Sequence, residues 1–231
     1  MASADWTELT GSLIAGSVAR GVTAGIAVPS GGGSFLYGWN SLAASAGAHG
    51  LYCNLGSFAP MAKGGSIRAA IQRGISGGPL NFTPLLFIGA QGGAVGDLAY
   101  ILGLQDDDPH RIALRKGAIN GGIPAGATGN GILRRSTAAY APGTWLHLRL
   151  DMIVNTNGDV ILQAFQSDLG AHVVTAPVWT NVPGLTEFRD DALGINSGSA
   201  PYTSGRIGFA FATKDVTRRG FVDQVECYRQ L

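Results

Sequence analysis

With a formal charge of +1 and only 13% charged residues among 231, the chain lacks the broad basic footprint that nucleic acid or an acidic membrane surface requires. Its length suits one large domain, and no run approaches 18 consecutive apolar residues, so neither a nucleic-acid partner nor a membrane span is expected. Thirty-six glycines without a G-X-Y period, beside 45% apolar residues, exclude collagen and disorder and point to a β-rich protein with many tight turns.

The opening MASADWTELTG has no basic n-region and no apolar h-region, so no secretory signal is expected. Residues 1–20 read as an N-terminal arm that orders on assembly, and 21–231 as a single domain. Period-two alternation punctuated by glycine predicts strands at 22–28, 34–40, 50–55, 66–73, 85–89 and 99–105. It continues at 111–117, 145–155, 160–166, 205–213 and 220–229. No apolar pattern of helical period is sustained; one short helical turn is expected within 183–193. Many short strands without strand–helix alternation specify an all-β, antiparallel β-sandwich. Only three of the 16 basic residues are lysines (Lys63, Lys116 and Lys214). Such a bias fits protein–protein contacts or a GC-rich genome equally. Cys53 and Cys227, far apart in sequence, read as buried thiols rather than a disulfide.

Several short patterns invite chemistry and mostly fail its requirements. Asp106-Asp107-Asp108-Pro109 offers oxygen ligands for Ca²⁺ but lacks EF-hand spacing, and Asp and Pro are ordinary turn formers. Gly74-Ile75-Ser76-Gly77-Gly78 spells G-x-S-x-G, yet a nucleophile elbow needs a strand-to-helix turn, and Gly78-Pro79 predicts another loop. The glycine-dense stretches 31–34 and 117–131 have no helix signal after them, as a phosphate cradle would need. The second is an exposed loop, either flexible or ordered by a partner. Four scattered histidines and two distant cysteines give no zinc spacing. Asn81-Phe82-Thr83 spells a glycosylation sequon without a secretory context.

The most informative stretch is 145–166. Asn157-Gly158 predicts a two-residue type I′ turn, which would pair Val154 with Ile161 and Leu150 with Phe165. Leu146, Leu148, Leu150, Met152, Val154, Ile161 and Phe165 would then share the core face. The other face would carry Trp145, His147, Arg149, Asp151 and Leu162. The His147-Arg149-Asp151 row places neighbouring Cα atoms about 6.5–7 Å apart. Its plainest reading is a polar sheet face with an Arg–Asp pair; ligand contact comes second and catalysis last, for want of a polarising partner and a substrate hollow. Only Glu8, Glu187 and Glu226 are glutamates, and no Glu-x-Asp or Glu-x-x-Glu pair supports retaining glycoside hydrolysis. Glu226 lies on the last strand, where Phe221, Val225 and Cys227 read as the core side and Arg149 as a neighbour for its carboxylate.

The segment GRIGFAFATKDVTRRGFVDQVECYRQL resembles the end of concanavalin-A-like, laminin-G-type jelly rolls, with Gly208-Phe209-Ala210-Phe211 leading through a loop to Phe221-Val222-Asp223. The hairpin from Trp145, with its Asn157-Gly158-Asp159 turn and Val160 strand, is similar to the same family's Trp–strand–Gly turn–strand element. More narrowly, GGGSFLYGWNSL, GGSIRAAIQRG, YILGLQDDDP, TWLHLRLDMIVNTNGDV and the ending RQL resemble virion structural proteins of tailed bacteriophages. The metal-ligand and acid-pair motifs of lectin and glucanase members have no match here.

The resemblance implies a non-enzymatic structural component of a phage particle (capsid decoration, collar, sheath-associated or baseplate), made in the host bacterial cytoplasm. Its partners would be other virion proteins and copies of itself. The alternative is a carbohydrate-binding, lectin-like module that attaches the particle to host-surface glycans. Trp145, His147, Arg149, Asp151, Glu226 and Tyr228 would then contact the sugar. No cofactor is expected apart from Ca²⁺ at Asp106, Asp107 and Asp108.

Overall fold

The computed structural model describes residues 6–8, 18–20, 37–39, 47–53, 63–73, 83–94, 96–105, 109–119, 131–141, 143–167, 177–191, 193, 197–213 and 220–229. Their strands in chain order are β1 (Trp6–Glu8), β2 (Val18–Arg20), β3 (Tyr37–Trp39), β4 (Gly47–Cys53), β5 (Gly64–Arg73), β6 (Thr83–Ala90), β7 (Leu98–Leu104) and β8 (Arg111–Ala118). They continue as β9 (Ile132–Ala139), β10 (Trp145–Val154), β11 (Val160–Ser167), β12 (Thr180–Asn181), β13 (Phe188–Asp190), β14 (Arg206–Thr213) and β15 (Gly220–Arg229). No helix occurs among the described residues.

These strands form two antiparallel sheets. One runs β1-β4-β14-β6-β7-β8-β9, and the other β12-β11-β10-β5-β15-β3-β2 with β13 also on β11. Chain neighbours are often in opposite sheets, as β5 and β6 are, which makes the architecture a sandwich. Within residues 1–20, β1 pairs with β4 and β2 with β3.

The core lies between the sheets. Ile67, Ala69 and Ile71 of β5 and Leu148, Leu150 and Met152 of β10 face Leu86, Ile88, Tyr100, Leu102, Leu114, Phe209 and Phe211 of the opposite sheet. Each large side chain so buried contributes roughly 1.5–3 kcal/mol. The β6–β7–β8 sheet carries a second apolar cluster on its other face, with Leu85, Phe87, Ala99, Ile101 and Ala113 buried. That explains the unbroken apolar runs LLFIG and AYILGL. The outer face of the β10–β5–β15 sheet is different: charged and polar side chains alternate with the core residues along all three strands.

Three expectations change. The strand β9 has no counterpart in the period-two reading. Among the described residues it is an edge strand whose ladder partner is β8, and its adjacent Arg134-Arg135 break the alternation. Within 183–191 the expected helical turn is instead a tight turn, Leu185 N–H donating to the Val182 carbonyl at 2.9 Å, followed by β13. Phe188 and Asp190 point inward there with strand parity.

The β10–β11 hairpin is one residue out of the expected register. Val154 pairs with Val160, Leu150 with Ala164 and Arg149 with Phe165. The loop closes with Gly158 N–H donating to the Asn155 carbonyl at 3.0 Å and Asn155 N–H to the Asp159 carbonyl at 2.9 Å. Only Gly158 takes a positive φ (88°), whereas a type I′ turn would need Asn157 there too. Asn157 instead hydrogen-bonds Asp159 through its side-chain amide (2.8 Å). Leu162 therefore joins the core, and Ile161 and Phe165 turn to the outer face. The expected strand at 22–28 and the motifs at 74–78, 81–82, 106–108 and 120–130 lie outside the described residues.

Candidate functional site

Four adjacent strands, β11, β10, β5 and β15, bring their outward residues into register as rows. Across the middle run Phe165, Arg149, Arg68 and Glu226. One row along, toward Arg229, stand Gln163, Asp151, Ser66 and Tyr228; one row the other way stand Ser167, His147, Ala70 and Asp223. Adjacent strands lie about 4.8 Å apart, so each row is a continuous line of touching groups.

A bulge in β15 makes this alignment possible. Asp223 pairs with Ala70 and Glu226 with Arg68, so β15 spends one more residue than β5 over that interval, and Gln224 takes a φ of 51°. In an unbroken strand Asp223 and Glu226 would point to opposite faces; the extra residue sends both outward. It also corrects the expected core side of β15. Val222 is fully buried in the core before the bulge, whereas Val225 and Cys227 pack against the core after it.

The charged groups are tied to one another. Arg149 donates to Asp151 (2.7 Å), whose second oxygen accepts the Ser66 hydroxyl (2.6 Å). Arg68 donates to Glu226 (2.6 Å), and the Tyr228 hydroxyl donates to the same carboxylate oxygen. Glu226 therefore meets Arg68, not the expected Arg149, because β5 stands between β10 and β15. Burial pushes the Glu226 carboxyl up, but the Tyr228 and Arg68 contacts outweigh it and hold the group below its ordinary range. The pair is half exposed, so solvent screening leaves it worth about 1 kcal/mol or less.

The two ends of the face differ in access. At one end Trp179, arriving from the segment before β12, lies 4.6 Å from the His147 ring and 5.4 Å from the Arg149 guanidinium, centroid distances. Arg149 is thereby sandwiched between Trp179 and Phe165, the latter at 4.3 Å. His147 is only 3% exposed. Burial first, and then the Arg68 charge, lower its pKa to about 4, so the imidazole is neutral. A ligand reaches it only if Trp179 moves.

The other end is open. A depression of about 230 Å³ is lined by Gly65, Ser66, Asp151, Met152, Ile153, Tyr228 and Arg229. Tyr228 is 44% exposed, and the Arg68 guanidinium lies 5.2 Å from its ring centroid.

Of the six residues expected to contact a ligand, Trp145, His147, Arg149 and Asp151 share the outer face of β10, and Glu226 and Tyr228 join them from β15. Trp145 stands one row beyond His147, opposite Gln72. Sequence reading missed Ser66, Arg68, Phe165 and Trp179. Ser66 and Arg68 were findable, since SIRAAIQR alternates and places both on the polar side of a strand that was correctly located. Trp179 was not, because only the tertiary fold lays it over β10. For Asp106, Asp107 and Asp108 the structure gives no placement. Among the described residues no group of three or more His, Cys, Asp or Glu is arranged to hold a metal ion.

A second polar cluster lies at one end of the sandwich interior. Lys116 of β8 donates to Asp190 of β13 (2.8 Å), to the Ser197 hydroxyl (2.8 Å) and to the carbonyls of Ser199 (2.6 Å) and Ala200 (2.8 Å). Tyr100 donates to the same Asp190 at 2.5 Å. Burial, followed by that hydrogen bond, pushes the Tyr100 hydroxyl far above its ordinary range. Lys116 has its donors fully engaged, so this cluster bolts the two sheets and the 197–202 loop together.

No protein-family model matches the sequence, and no curated protein matches it. Solved structures do resemble the fold. A carbohydrate-binding module of the CBM66 type from Bacillus subtilis superposes with a TM-score of 0.51 at 10% identity, over 97% of this chain and 95% of that one. The carbohydrate recognition domain of Emp46p gives 0.52 at 11% identity, over 98% and 89%. A marine PL-14 alginate lyase from Aplysia kurodai gives 0.52 at 11% identity, over 93% and 87%. The chain therefore has the concanavalin-A-like jelly-roll sandwich, a fold on which both binding domains and a lyase are built, so the fold does not choose between them.

Proposed function

We propose that the outer face of the β10–β5–β15 sheet binds a saccharide, seated at its Asp151–Ser66–Tyr228 end. The observation that carries this reading is the exposed Tyr228 ring beside a depression that Gly65, Ser66 and Asp151 also line. An aromatic platform next to fixed polar groups suits the alternating apolar and hydroxyl surfaces of a sugar ring. Asp151 and Glu226 are each committed to an arginine, which favours a rigid recognition surface over acid–base turnover. Carbohydrate-binding domains among the structural neighbours are consistent with this.

In the setting that the phage-like segments imply, the domain would hold a virus particle to a host-surface glycan, and mass spectrometry of purified particles would find it there. The direct test is a glycan array, followed by titration of any glycan that binds. Tyr228→Ala weakens binding roughly tenfold, as expected for loss of a stacked ring and its contacts, while far-UV circular dichroism is unchanged. Undiminished binding in Tyr228→Ala, or no binding to any glycan, would overturn the proposal.

A further inference from the structure

We infer that the saccharide meets this depression as a hydrogen-bond donor, through the hydroxyl groups of a neutral sugar residue and not through a carboxylate, sulfate or phosphate; this rests on the saccharide-binding reading above. Strand alternation decides which side chains the depression presents. Ser66, Asp151 and Tyr228 share one outward row, and Ile153 stands in the next outward row, opposite Gly64. Gly65, Met152 and Arg229 form the row between them. Met152 is a core residue, so that row turns its side chains, Arg229 included, to the other face. Gly64 adds no side chain beside Ile153, which leaves room between Ile153 and the Ser66–Asp151–Tyr228 row.

The protons of these side chains are already given away. The Ser66 hydroxyl donates to one oxygen of Asp151 at 2.6 Å, and the Tyr228 hydroxyl donates to Glu226. The other Asp151 oxygen accepts from Arg149 at 2.7 Å. Ile153 has no polar atom in its side chain. What the four side chains still offer a ligand is lone pairs, because a hydroxyl that has donated its proton still accepts and a carboxylate oxygen can accept more than once. A sugar hydroxyl satisfies this set by donating. The apolar C–H face of the same ring fits against Tyr228 and Ile153.

An anionic substituent meets the opposite situation. Arg149 and Arg68 are each held by a carboxylate, and neither Arg68 nor Lys63 lines the depression. Among the described residues on the outward rows of β10, β5 and β15, Asp151, Glu226 and Asp223 stand against Arg149 and Arg68, which leaves no surplus of positive charge. A carboxylate or sulfate placed here would set its oxygens against those of Asp151 and Ser66 with no proton between them. It would also give up water without gaining a counter-ion. A neutral hydroxyl incurs neither cost.

The test begins with the full chain on an array that carries neutral oligosaccharides beside their uronate and sulfated counterparts. The tightest binder is expected to be neutral, with its acidic counterparts at least tenfold weaker. Calorimetric titration then compares that neutral glycan with derivatives in which single hydroxyls are replaced by fluorine, which removes the proton and keeps the size. At least one replacement should weaken binding roughly tenfold, and Ser66→Ala, which removes one acceptor, should weaken binding of the parent glycan several-fold. If an acidic glycan binds as tightly as its neutral counterpart, or every fluorinated derivative binds like the parent, the donor inference fails and the saccharide-binding surface stands. If no glycan binds at all, both fall.

Discussion

Replacing His147 by phenylalanine should flatten the acid limb of the stability curve. The imidazole is buried under Trp179 beside Arg68, and its pKa falls from the ordinary 6.5 to about 4 in the folded protein. Between those values the unfolded chain binds a proton that the folded chain does not. Stability contributed by the neutral ring is therefore full above about pH 6.5 and is lost as pH falls toward about 4, at up to roughly 1.4 kcal/mol per pH unit. Integrating over the two titrations gives a loss of about 2 kcal/mol between about pH 7 and pH 5. His147→Phe keeps an aromatic ring against Trp179 and removes the proton site. Urea unfolding followed by far-UV circular dichroism at half-unit pH steps would show the two proteins converging as acid is added. The Glu226 contribution, lost only as pH drops through a pKa below the ordinary carboxylate range, lies outside this window. Parallel curves for the two proteins would show that His147 is protonated freely in the folded state, and the account of a sealed, neutral ring beneath Trp179 would be wrong.

Two further outcomes concern the frame that holds the face. Lys116→Met strands Asp190, which is fully buried, and should cost about 3–5 kcal/mol in urea unfolding. Lys116→Met/Asp190→Leu should recover most of the loss, because removing both buried charges ends the mismatch; equal losses in the single and double variants would refute the sheet-bolting role. Gly131→Ala, at a φ of 70° and with its methyl overlapping the Lys116 carbonyl oxygen, should destabilise by roughly 3 kcal/mol through combined backbone strain and steric overlap. A melting temperature unchanged in that variant would count against the close β8–Gly131 approach.

Most of the strand content was legible because alternation is a local signal. The stretch WLHLRLDMIVN needs only a pleat to send Leu148, Leu150 and Met152 to one side and His147, Arg149 and Asp151 to the other, and the observed burial follows that division except at His147, which Trp179 covers. The hairpin register was not legible. Asn157-Gly158 is compatible with both a two-residue and a three-residue loop, and the choice of the second is accompanied by burial of Val160, Leu162 and Ala164, which lie far from the turn. β9 was missed for a related reason: with one ladder partner, its side chains alternate too weakly to leave a pattern.

From the sequence alone came the all-β sandwich, the strand that carries the polar row, and the side of that strand that is core, since each depends on residues within a few positions of one another. The tertiary structure decided what the polar row is. It inserted Arg68 between Arg149 and Glu226, used a bulge at Gln224 to turn Asp223 and Glu226 to one face, and laid Trp179 over His147. These are contacts between residues far apart in the chain, set by strand order and a single extra residue, and neither has a periodic signature. The row first visible as His147, Arg149 and Asp151 is thus closed at its histidine end and open at its aspartate end, where Ser66 and Tyr228 complete it.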